Sequence, residues 1–172
     1  IESDSGYGPG GTDGLVLIYH APTDGEEFEL TASPNVFGKP LPIGIADYNA
    51  DDLLDIAFTV EGCSSFCIHE MQIVTWNGEV YVVSINPGAT IAEGAITFAP
   101  VGPEDPGQGQ SVVLSGGISG TPEGGLNVPH EEIWQSIDGE PYQRKRWLYD
   151  REVEGSSCLG LRLVEADVAL QA

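Results

Sequence analysis

The sequence predicts a mainly β fold, built of repeated antiparallel β-hairpins and finished by a short C-terminal α-helix. Three observations predict it. A hairpin signature recurs three times, a strand–polar loop–strand pattern recurs between the hairpins, and the spacing of apolar residues changes after residue 150.

The first fourteen residues, "IESDSGYGPGGTDG", are Gly-rich and without apolar pattern, and are expected to be a flexible leader. The hairpin signature then appears in "LVLIYHAPTDGEEFELTA" (15–32), "MQIVTWNGEVYVVSI" (71–85) and "EEIWQSIDGEPYQRKRW" (131–147). Each has a β-rich run, an Asp-Gly or Asn-Gly pair followed by Glu, and a second run containing an aromatic. Asx-Gly pairs accept the positive φ that a tight hairpin turn demands, at Gly25, Gly78 and Gly139. Between the hairpins, "PIGIADYNADDLLDIAFTV" and "AITFAPVGPEDPGQGQSVVLSGG" each run strand, polar loop, apolar strand. Segments 86–94 and 116–129 read as loops, the second long and rich in Gly and Pro. Units at about 15–32, 43–85 and 96–147 thus make one β-repeat domain, 15–149. Four short strands per repeat suit a propeller-like blade.

From 150 to 172 a helical segment is expected. Ser156 or Ser157 can cap it, and Leu159, Leu163, Ala166 and Leu170 fall on one face. Leu159, Leu161 and Leu163 also alternate as in a strand, so the helix is favoured without being the sole reading.

Charge excludes several functions. The chain has 172 residues with 27 Asp and Glu against 6 Lys and Arg, a formal charge of −21. Nucleic acid and anionic membranes need a basic footprint that is missing here. Half of the basic residues form the run Arg144-Lys145-Arg146, read as neutralising neighbouring acids rather than as a docking patch. No run of about 18 apolar residues is present to span a bilayer. The chain starts at Ile1 without a methionine, and is expected to be a mature or trimmed product whose export signal is gone.

Cys63 and Cys67, in "GCSSFC", are close enough for a loop-tip disulfide. A ring this small stabilises by roughly 2 kcal/mol on the chain-entropy model, and it implies an oxidising, extracytoplasmic compartment. Cys158 is read as a buried thiol. Zinc is not favoured, because CxxxC without a second pair or nearby His pair is weak spacing.

"DYNADDLLDIAF" (47–58) carries the sharpest chemical signal, with four aspartates and an asparagine in nine residues. Counting Asp47 as position 1 puts Asn49 at 3, Asp51 at 5, Leu53 at 7 and Asp55 at 9. Alternate side-chain oxygens with a carbonyl at 7 form a sequential cage for Ca²⁺, which takes six to eight oxygens at about 2.3–2.6 Å. A bound cation turns repulsion between crowded carboxylates into attraction. An EF-hand needs Glu at position 12, which is Phe58 inside a β-type run. The loop is therefore expected to join two strands.

These residues resemble the DxDxDGxxD-type loop of FG-GAP or VCBS repeats, known from integrin α-subunit propellers and many bacterial surface proteins. The resemblance covers about residues 15–149, with the specific motif present once. It implies a calcium loop between two strands of a blade, with Asp47, Asn49, Asp51 and Asp55 as side-chain ligands and Leu53 as a carbonyl ligand. Asp52 stands where the family has glycine, and Asp tolerates left-handed backbone better than most residues. In the next unit, aligning Ser111 with Asp55 puts Pro103 at position 1 and Gly107 at position 5, so one calcium is expected and not two.

Other chemistry is weakly signalled. His20, His69 and His130 have no serine in a GxSxG elbow to serve, and read as structural. Trp76, Trp134, Tyr81, Tyr142 and Trp147 read as packing residues rather than a sugar platform. No GxGxxG or P-loop follows a strand. Paired carboxylates mean little in so acidic a chain. The expected function is a non-catalytic, calcium-stabilised, extracytoplasmic module for protein interaction or adhesion. The alternatives are an accessory subunit of a membrane-bound or surface complex, and a fragment of a secreted carbohydrate-active hydrolase, which two carboxylates facing each other in a cleft would favour.

Overall fold

The computed structural model describes residues 13–21, 27–64, 66–103, 105, 107, 109–117 and 129–149. Most of the expected leader, the Asp24-Gly25 turn, most of the loop 116–129, Cys158 and the expected C-terminal helix lie outside these residues. The described chain is all β.

Two four-stranded meanders dominate. The first runs through β5 (Lys39–Ala46), β6 (Asp55–Cys63), β7 (Cys67–Trp76) and β8 (Tyr81–Val83), each antiparallel to the one before. β9 (Thr90–Ala92) adds to the other end of β7. The second meander runs through β10 (Ala95–Pro100), β11 (Gln110–Gly116), β12 (His130–Gln135) and β13 (Gln143–Tyr149). Ahead of them, β1 (Asp13–Leu15) pairs with β4 (Asn35–Phe37), and β2 (Ile18–His20) pairs with β3 (Glu29–Ala32). The pairing of β2 with β3 is the first expected hairpin. The repeat of strand–loop–strand plus hairpin is thus seen twice in full.

Local chemistry sets the turns. Between β7 and β8, Gly78 takes φ +97°, and the Asn77 side chain accepts the N–H groups of Glu79 and Val80. Between β12 and β13, Asp138 and Gly139 both have positive φ, and Glu140 N–H closes the turn on the Ile137 carbonyl. Two successive positive φ angles are what a type I′ turn requires. Two expectations shift at their edges. β1 begins at Asp13, inside the expected leader, and β9 lies inside the expected loop 86–94. β9 is only three residues long, but it buries Ile91 and Ala92, which repays its pairing.

The halves of β6 and β7 nearest the acidic loop are buried on both faces. On one, Ala57, Met71 and Ile73 pack with Val112, Leu114 and Trp134 of the second meander. On the other, Ile56, Phe58, Val60 and Val74 pack with Val16, Ile18 and Val36 of the N-terminal strands. A strand covered on one side alternates in polarity, whereas "IAFTV" is almost continuously apolar because both sides are covered. Each such side chain taken from water contributes about 1.5–3 kcal/mol. β5 lies at the sheet edge, where Pro40 and Pro42 need donate no ladder hydrogen bond.

The two meanders meet tightly at Gly109, with φ +68°, where an added Cβ would sit 2.2 Å from the Tyr48 carbonyl oxygen. Gly78 has φ +97° but open space around it. In urea melts, Gly109→Ala is expected to cost more than Gly78→Ala. The latter carries only backbone strain of about 1–3 kcal/mol, so equal losses would argue against this contact.

Candidate metal centre

Asp47 to Leu54 link β5 to β6, so the acidic loop joins two strands of one meander. Its conformation follows from carboxylates accepting backbone N–H groups. Asp47 Oδ1 accepts from Asp51 N–H at 3.1 Å, and its Oδ2 from Asp52 N–H at 3.1 Å. Asn49 Oδ1 also accepts from Asp51 N–H, at 3.2 Å, and Asp51 Oδ1 accepts from Leu53 N–H at 2.8 Å. Asn49 Nδ2 donates to the other Asp51 oxygen. These N–H dipoles offset part of the repulsion between the acids. Ala50 and Asp52 take positive φ, 60° and 66°. Position 6 of the loop therefore has the left-handed backbone for which the resembling family uses glycine.

Asp55 stands apart from the others. It is fully buried at the start of β6, accepts Tyr48 N–H at 2.9 Å, and takes a short hydrogen bond from the Thr75 hydroxyl across the β6–β7 ladder. Ser111 holds the matching place in the second meander, where it accepts from Gln135 Nε2 at 3.1 Å. Burial pushes the Asp55 carboxyl above its usual range, and the Asp51 charge adds to this. Hydrogen bonds from Thr75, Tyr48 and Asn49 pull the other way.

Behind the loop stands Tyr142, fully buried, whose single hydroxyl proton is shared between the carbonyls of Tyr48 (2.8 Å) and Gln110 (3.0 Å). Burial raises its pKa, and the charges of Asp55, Asp47 and Asp51 raise it further. It stays protonated and acts as a fixed donor.

As a donor set, Asp47, Asn49, Asp51 and the Leu53 carbonyl offer only hard oxygens, which fit Ca²⁺ and not a soft metal. Asp55 is the member already engaged by the core, though a carboxylate has about four acceptor sites and these bonds do not exhaust them. The carboxylates of Asp47, Asp51 and Asp55 do not all lie within 4.8 Å of one another. Among the described residues, one group of three His, Cys, Asp or Glu meets that distance: Glu61, Cys63 and Cys67.

The remaining sequence-derived residues are dispersed. Cys63 and Cys67 form the expected disulfide at the far end of the β6–β7 hairpin. His20 stacks on Trp76 with ring centres 4.3 Å apart and meets the Tyr81 hydroxyl. His69 faces Glu61, and His130 faces the buried Glu132. Arg144 pairs with Glu132 and lies over the Trp147 ring, and Arg146 pairs with Asp105, so both arginines of the basic run meet acids.

Sequence reasoning missed Thr75 and Gly109 here, and took Tyr142 for a packing residue. The alignment of Ser111 with Asp55 held the signal for Thr75, since a cross-strand polar pair recurs at that place. Compared with known protein families, curated proteins and solved structures, the chain matches none.

Tyr142→Phe is expected to lower stability by about 1–2 kcal/mol, since it removes a buried donor from two carbonyls. Chemical denaturation reads this directly, and an unchanged midpoint would remove Tyr142 from its anchoring role. The raised Asp55 pKa has a signed consequence. The folded chain keeps this proton where the unfolded chain has released it, so the stability it confers is present below the ordinary value of 3.8. That stability is lost as pH rises through the folded-state value. In chelator, the unfolding free energy of wild type minus that of Asp55→Asn is expected to fall across this window. A flat difference would contradict it.

Proposed function

We propose that the chain is a calcium-stabilised, extracytoplasmic β-repeat module of the FG-GAP/VCBS type, acting in protein interaction or adhesion rather than in catalysis. The observation that carries this reading is the backbone of Asp52. A non-glycine residue with φ +66° costs on the order of 1 kcal/mol, and it sits at the sixth position of a loop whose alternate residues all offer oxygen. The loop also joins two strands of one four-stranded meander, the place that the family resemblance implies.

Asp47, Asn49, Asp51 and Leu53 would hold the ion, with Asp55 contributing from the core side. Ca²⁺ there supplies electrostatic cross-linking and no reaction chemistry. The disulfide supports an oxidising location. Among the described residues, no helix is long and apolar enough to cross a membrane. For a protein partner, support comes from the β2–β3 hairpin. Tyr19 and Leu30 are cross-strand neighbours, each 53% exposed, and Phe28 is 71% exposed. Apolar side chains grouped at the surface mark contact sites more often than scattered ones do.

Thermal melting in CaCl₂ against EGTA, for wild type and Asp51→Ala, tests the reading. Calcium at a hundred times its dissociation constant is expected to add about 2.7 kcal/mol to wild type, and much less to the variant. Identical melting temperatures in all conditions would reject it.

A further inference from the structure

The far end of the β6–β7 hairpin gathers four metal-ligating side chains on one face. In the antiparallel register, Cys63 lies opposite Cys67 and Glu61 lies opposite His69. Side chains two apart on a strand share a face, and so do directly paired residues. A carboxylate oxygen of Glu61 and the two cysteine sulfurs lie within 4.8 Å of one another. His69 Nδ1 is 3.9 Å from Glu61 Oε2 but lies outside that three-residue group, so its ring must turn toward the sulfurs to complete the set. Cys63 is exposed and the other three are half-buried, so an ion or a reductant can reach them. The Glu93 carboxylate, which accepts Cys67 N–H at 2.6 Å, brings further negative charge.

We propose that reduction of the Cys63–Cys67 disulfide converts this corner into a site for a zinc-type ion, held by two thiolates, the His69 imidazole and the Glu61 carboxylate. Two sulfurs, one nitrogen and one oxygen form a tetrahedral set that suits Zn²⁺ and does not suit Ca²⁺. The spacing CxxxC hides this set, because the other two donors come from positions flanking the pair on opposite strands. Disulfide and metal exclude each other. A dithiol reductant gives two electrons and two protons to the S–S bond and becomes a disulfide itself. The two protein thiols then bind Zn²⁺ as thiolates and release two protons. The hairpin needs no cross-link to keep its register, since the ladder continues from Cys63↔Cys67 to Asp55↔Thr75. The proposal is independent of the calcium reading, which concerns the opposite end of β6, but it requires a dithiol reductant to act on a chain whose disulfide marks an oxidising location.

The test uses the full chain with Cys158→Ser, reduced and shown by circular dichroism to stay folded, and titrated with Co²⁺ and then Zn²⁺. Stoichiometric cobalt is expected to give thiolate-to-metal charge-transfer and tetrahedral d–d bands that zinc bleaches, and the oxidised chain is expected to give neither. Glu61→Gln and His69→Ala are each expected to weaken zinc by about tenfold or more, while Glu79→Gln, at the exposed turn beyond the other end of β7, leaves the bands unchanged. A folded, reduced chain without these bands would overturn the proposal. So would zinc affinity that neither Glu61→Gln nor His69→Ala alters.

Discussion

Tyr48 is the residue on which the acidic loop and both meanders depend. Its N–H donates to Asp55, its carbonyl accepts from Gln110 N–H at 2.7 Å and from the Tyr142 hydroxyl, and its ring stacks on Phe98 at 4.1 Å. One residue thus ties the loop after β5 to the start of β6, to β10 and β11 of the second meander, and to the hairpin that ends it. A carbonyl has two lone pairs, and here both are used away from water. The loop is therefore held from behind by the core while its acids collect the loop's own N–H groups in front, and a disturbance on either side reaches the other through this residue.

The same economy governs charge. With so few cations available, the fold compensates its acids by three different means. Asp47 and Asp51 collect backbone N–H groups, Asp105 and Glu132 receive arginines, and Asp55 is withdrawn into the core with a hydroxyl for company. The two ends of β6 also differ in chemical hardness. Its beginning is lined mainly by oxygens, and its end by sulfur, nitrogen and oxygen. On the two proposals made above, cations of different softness bind at different ends of one strand.

Much of the fold was legible because its signals are local. Asn77-Gly78 and Asp138-Gly139 announce their turns through the φ angles they allow, and the polar loops announce themselves by interrupting apolar strands. The acidic loop was legible in composition and place, and Asp52, expected to tolerate left-handed backbone, takes φ 66°. What stayed hidden depends on contacts between distant segments. β1 and β4 are three-residue strands that pair across an intervening hairpin, and nothing within either announces the other. Spacing counted Asp55 among the ligands; that its carboxylate also meets the Thr75 hydroxyl, twenty residues on, was not legible. Glu61 and His69 meet Cys63 and Cys67 only once the strand register is known.

The prolines of β5 carry a consequence for assembly. An edge strand with free amides invites a neighbouring chain to zip on through main-chain hydrogen bonds. Pro40 and Pro42 remove two of those amides from the outer rim of the first meander, so another strand docking there would leave its own carbonyls unanswered. An array of such units would then enlarge by stacking sheet upon sheet, as the two meanders already do across their shared core, and not by lengthening a single ribbon at this border.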